Sequence, residues 1–146
     1  MPVKFTDGFK PKQIAKDMQQ AVAKQLGVIL SDEVTKMKLR IKQGQDVDGQ
    51  TFKEYTEEYK AFKRSKGRSV GVPDLLLTGA MQNAITQAIT IAGNKIRGKV
   101  YFSSAKEAEK AKGNIKKRKF FGFTQEQIKR IKDKIQLALK GAYDRR

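Results

Sequence analysis

Between Val72 and Phe102 (VPDLLLTGAMQNAITQAITIAGNKIRGKVYF) the hydrophobic repeat changes, and that change restricts the fold more than any other feature of the chain. Pro73 is a breaker and Asp74 a good helix N-cap, so the apolar run from Leu75 through Met81 is expected to form a short helix. From Ile85 the apolar residues alternate. Ile85, Gln87, Ile89 and Ile91 fall on one side and Thr86, Ala88 and Thr90 on the other, the two-residue period of a half-buried strand. Gly93-Asn94 supplies two residues that tolerate positive φ where a tight turn is needed. Ile96, Val100 and Phe102, interleaved with Arg97, Lys99 and Tyr101, complete a second strand. A short helix feeding a β-hairpin is therefore the expected centre of the fold.

Around this centre the pattern is helical. From Pro11, apolar residues recur at Ile14, Met18, Val22, Leu26, Ile29, Val34, Met37 and Ile41, which describes one amphipathic helix or two in tandem. Gly27 and Ser31-Asp32-Glu33 are the points where it could break. The stripe is expected to face the core or a neighbouring subunit rather than a membrane surface. Residues 44–50 read as a solvated turn, because Asp46 and Asp48 lack the remaining ligands of a calcium loop. Phe52, Tyr55, Tyr59 and Phe62 are spaced along one face of a short charged helix, and packing on the domain is preferred over stacking on bases.

Ser103 or Ser104 is expected to cap a helix through Lys112 that stops at Gly113-Asn114. The last helix has the clearest start. Thr124 and Gln127 form a capping box, Phe123 and Ile128 a hydrophobic staple, and Ile128, Ile131, Ile135 and Leu139 its buried stripe, with Gly141 as the stop. Residues 1–9 carry no periodic signal apart from a turn at Thr6-Asp7-Gly8, and are expected to be flexible or partner-bound. The expected architecture is a single α+β domain over residues 1–146. It has N-terminal helices, a central antiparallel hairpin in a small sheet, and a C-terminal helix packed on that sheet.

Composition narrows the function by exclusion. The 146 residues include no Cys and no His, which excludes a disulfide framework, a Cys/His zinc site and thiol or imidazole catalysis. No phosphate loop or other catalytic constellation is present, and the acidic pairs Asp32-Glu33 and Glu57-Glu58 have Lys neighbours suited to surface ion pairs. A non-enzymatic protein without cofactor is expected. No apolar run is long enough for a membrane span or a signal-peptide core. The net charge of +17 is uneven: residues 92–146 carry 17 basic against 5 acidic side chains. A polyanion partner, either nucleic acid or an acidic protein surface, and a simple Lys-rich soluble surface both accommodate it.

The order of several segments resembles a known family. Asp48-Gly49-Gln50-Thr51-Phe52 precedes a Tyr/Thr/Lys-rich stretch (Tyr55-Thr56, Tyr59, Lys60, Lys63). Leu76-Leu77-Thr78-Gly79-Ala80-Met81 and the hairpin follow, then Arg118-Lys119-Phe120-Phe121-Gly122-Phe123-Thr124 before the final helix. This is similar to the tailed-bacteriophage virion morphogenesis proteins, also called tail-completion or neck proteins. Family members often have Trp where Phe52 stands and Pro where Lys117 stands.

The resemblance implies a structural virion protein made in the host cytoplasm. It would complete the neck or tail end as a six- or twelve-fold ring of its own copies, joined to neighbouring connector and tail proteins. Unpaired strand edges and aromatic–cationic segments are common binding surfaces, so the expected interface residues are Ile85, Ile89, Val100, Phe102, Arg118, Phe120 and Phe121. Lys112, Lys116, Lys117, Arg118 and Lys119 are the candidate polyanion contacts, meeting an acidic partner ring or packaged DNA in passing, without base specificity. The alternative reading is a small basic nucleic-acid-binding protein.

Overall fold

Leu26, Leu30, Val34, Met37 and Ile41 follow one another at helical steps, and all five are buried along a single 27-residue helix, α1 (Lys16–Lys42). The computed structural model describes residues 3–5, 16–75, 79–93 and 95–144. The helix runs unbroken through Gly27 and Ser31–Glu33. A glycine costs about 1 kcal/mol of helix propensity, which the packing of α1 outweighs. Gly27 lies against the sheet, where an added Cβ would come 3.7 Å from Ile89 Cγ1. Pro11 and Ile14 fall outside the described residues.

The hairpin forms as its alternation requires. β2 (Ile85–Ala92) and β3 (Lys95–Phe102) pair antiparallel in unbroken register from Ile85↔Phe102 to Ala92↔Lys95. Gly93 turns at φ +58°, and Asn94 lies outside the described residues. The chain start adds a third strand: β1 (Val3–Phe5) pairs with β3, Val3 opposite Val100, in the order β1-β3-β2. Within the segment expected to be flexible, these three residues are thus ordered by a partner far along the chain. The turn at Thr6–Gly8 falls outside the described residues.

Gly98 explains how α1 reaches the sheet. A Cβ there would stand 2.5 Å from Leu30 Cδ1 and 3.6 Å from Leu26 Cδ2, so the missing side chain is the space those leucines occupy. Leu30, Met37, Ile41, Phe52, Ile85, Val100, Phe120 and Ile131 belong to the resulting core.

The stretch before the hairpin departs from expectation. Asp74 does not open a helix. Leu75 has φ +56°, Gly79 has φ +83°, and between Pro73 and β2 the only helical structure among the described residues is one turn, α3 (Ala80–Asn83). Leu76, Leu77 and Thr78 lie outside the described residues. Upstream, α2 (Glu57–Ser65) is capped by Thr56, whose Oγ1 accepts from Tyr59 N at 3.3 Å. Phe52 and Tyr55 therefore precede the helix and are buried, while Tyr59 and Phe62 remain partly exposed. Asp46 Oδ1 accepts from the amides of Asp48 and Gln50, both at 2.8 Å, which closes the turn expected there.

After the hairpin, Ser104 caps α4 (Ala105–Ile115), which continues through Gly113-Asn114 instead of stopping there. The last helix, α5 (Gln125–Asp144), opens on the capping box: Gln127 N donates to Thr124 Oγ1 at 3.1 Å and Thr124 N to Gln127 Oε1 at 3.2 Å. It passes through Gly141. Its main packing partner is α1, and α1 is the helix that covers the sheet. Thr124→Ala should cost about 0.5–2 kcal/mol; an unchanged denaturant midpoint would show that the cap does not hold the helix start.

Candidate functional site

Two clusters of charge inside the fold decide which surfaces are left for partners. The first joins α1 to α5. Glu33, on the core stripe of α1, has a fully buried side chain. It accepts from Arg130 Nε at 2.6 Å, Arg130 Nη2 at 2.9 Å and Gln127 Nε2 at 3.1 Å. Gln127 Oε1 accepts in turn from Arg40 Nη1 at 2.9 Å, and Arg40 Nη2 donates to the carbonyls of Phe120 (2.6 Å) and Gly122 (3.0 Å). Burial pushes the Glu33 carboxyl up, but the Arg130 and Gln127 hydrogen bonds and nearby positive charge prevail and hold it at about 2.

The second cluster surrounds Tyr55. Lys63 Nζ lies 4.7 Å and Arg118 Cζ 4.9 Å from its ring centroid, and its hydroxyl accepts from Leu75 N at 2.8 Å. Lys63, fully buried, is paired with Asp74 at 2.8 Å. Arg118 donates through Nε to Lys53 O (2.8 Å) and through Nη2 to Glu54 O (3.1 Å). Burial raises the pKa of the Tyr55 hydroxyl, which keeps it protonated.

These arrangements revise the expected interface. Ile85, Val100 and Phe120 are core residues, closed off by α1 and its neighbours, and cannot present themselves to a partner in this fold. Arg118 is 8% exposed, its guanidinium spent on backbone carbonyls. Ile89, Phe102 and Phe121 are partly buried, with the Phe102 and Phe121 rings 4.8 Å apart. Among the candidate polyanion contacts, Arg118 is therefore interior. Lys112 pairs with Glu109 (3.5 Å) and Lys119 approaches Asp48 (3.9 Å), which leaves Lys116 and Lys117 as the exposed members without such a pair among the described residues.

Glu33, Arg40, Gln127 and Arg130 did not stand out in the sequence as a group. A signal was there: Glu33 and Arg40 continue the steps of three and four that link Leu26, Leu30, Met37 and Ile41.

Three features remain on the surface. The outer edge of β2 is unpaired among the described residues. The sheet face opposite α1 carries Thr86, Thr90, Lys95, Arg97, Lys99 and Tyr101. Between α1 and α5 lies an apolar groove of about 620 Å³, with Val28 (59% exposed) and Leu137 (70% exposed) on its walls. Among the described residues no cluster of acidic side chains could hold a metal ion, and no helix is long and apolar enough to cross a membrane. Comparison with protein-family models, with curated proteins and with solved structures finds no match to this chain.

Proposed function

We propose that this chain is a non-enzymatic structural protein of a tailed phage that completes the neck or tail end and joins head to tail as a ring. One observation carries the assembly part of that reading. β2 is an edge strand of eight residues, roughly 27 Å long, and its sequence ITQAITIA contains no charged residue and no proline. Its register has no bulge. Natural edge strands are usually guarded by one of these devices, because an unguarded edge is a template for another chain. An edge left bare among the described residues fits a strand whose partner is supplied by a neighbouring copy. A head-to-tail contact between two different patches closes into a ring when its rotation permits. The order of segments along residues 48–124 supplies the phage part of the reading.

The contact surface is then the edge of β2 with the exposed Ile91 at one end, and the partly exposed pair Phe102 and Phe121 at the other. Thr90→Lys tests it, because the residue is exposed and a lysine on an edge strand opposes pairing. Thermal stability should stay within about 0.5 kcal/mol of the parent, while completion of purified heads and tails by the added protein falls at least about tenfold, some 1.4 kcal/mol per contact. Completion at the parental rate would remove the edge from the interface. Virions of the encoding phage that join heads to tails without this protein would refute the role itself.

A further inference from the structure

Because side chains alternate along a strand, the hairpin residues that do not face α1 share the opposite face of the sheet. In β3 these are Lys95, Arg97, Lys99 and Tyr101, and in β2 Thr86, Ala88, Thr90 and Ala92, each pair in register across the hairpin. Lys95, Arg97 and Lys99 are exposed, and successive cations on the strand stand roughly 7 Å apart. Residues 85–102 contain no Asp or Glu, and none of the three cations is ion-paired among the described residues. Lys99 Nζ sits 4.7 Å from the centroid of the Tyr101 ring. In β1, Lys4 is the register partner of Lys99.

We infer that this outer sheet face binds the phosphate backbone of double-stranded DNA without reading its sequence. The inference rests on the face itself and stands whether or not the protein belongs to a phage neck. A row of cations with no acid between them, flanked by threonine hydroxyls, matches a polyphosphate. A protein partner fits less well, since the face has only Ala88 and Ala92 as apolar residues in β2 and lacks the apolar centre of a protein interface. Single-stranded nucleic acid needs several aromatic rings for successive bases, and this face offers Tyr101 alone. A sheet face with short threonines between long cations can lie along the phosphate backbone of a duplex without entering a groove. The surface differs from residues 112–119, where Arg118 is turned inward and two lysines are paired.

The test is fluorescence anisotropy of a labelled random-sequence duplex across a salt series. The parent should bind with log affinity falling linearly against log salt. Replacing Lys95, Arg97 and Lys99 together by alanine should reduce that slope by about 2.7, near 0.9 per lost phosphate contact, and weaken binding about a hundredfold at 0.1 M salt. Removing three equally exposed cations from α5 (Lys129, Lys132 and Lys140 to alanine) should leave the slope within one unit of the parent. Circular dichroism checks that each variant is folded. An unchanged slope in the sheet variant would overturn the inference, as would an equal loss in the α5 variant, which would reduce binding to net charge. A loss confined to alanine variants of Lys116, Lys117 and Lys119 would place the contact on residues 112–119 instead. Displacement of the duplex by polyglutamate at the same charge concentration as by unlabelled DNA would replace DNA with an acidic protein as the partner.

Discussion

Replacing Glu33 by alanine should destabilise the protein by about 3–5 kcal/mol, toward the lower end of that range. The carboxylate joins α1 to α5 through Arg130 and Gln127 and also pairs with Lys36 on its own helix, so its removal breaks four contacts at once. Gln127 Nε2 keeps the backbone carbonyl of Glu33 as an acceptor, at 3.1 Å, and Arg130 is 31% exposed and can return to water. These two escapes limit the loss. The same group sets an acid limit. Its folded pKa of about 2 lies below the ordinary value of 4.5, so the unfolded chain takes up a proton first as pH falls. The stabilisation is therefore complete above about pH 4.5 and is lost progressively as pH falls toward 2. Urea midpoints at a series of pH values check both points. The parent should weaken across that window, and the variant should start lower and lack this component. Equal midpoints for parent and variant at pH 7 would show that the α1–α5 contact does not depend on the carboxylate.

Arg118→Glu should cost more than about 4 kcal/mol, among the largest effects of any single substitution in this chain. The guanidinium donates to Lys53 O and Glu54 O and lies over the face of the Tyr55 ring. A carboxylate at the same place would meet two carbonyl oxygens and the negative face of an aromatic ring, with no donor of its own. Arg118→Lys keeps the charge but loses the planar fork, and should fall between parent and Glu. Thermal unfolding of the three proteins orders them. If Arg118→Glu melts with the parent, the guanidinium does not hold residues 53–55 in place. An assembly defect in Arg118→Glu would thus report folding, so the exposed Thr90 is the better probe of subunit contact.

Local physics carried the parts of this fold that could be read in advance. The hairpin was legible because alternation and the turn at Gly93 act within a few residues of each other. The capping box was legible because Thr124 and Gln127 satisfy each other's amides three residues apart, whatever packs around them. The buried stripe of α1 was legible from its spacing, although its continuity through Gly27 depended on the sheet beneath it.

Tertiary structure decided the rest. Val3–Phe5 are too few to show a period, and they became a strand because β3 offered its second edge. A helix opening at Asp74 was locally plausible, yet Asp74 pairs with Lys63, and Leu75 adopts a positive φ with its amide on Tyr55. Ile85, Val100 and Phe120 looked like surface for a partner until α1 closed over the hairpin through the gap at Gly98. The plainest case is Glu33. A lone carboxylate in the core is strongly unfavourable, so local rules assign it to the surface with its neighbouring lysine. It can be buried only because Gln127 and Arg130, more than ninety residues further along, bring three hydrogen bonds to its carboxylate, and no local pattern at Glu33 encodes that.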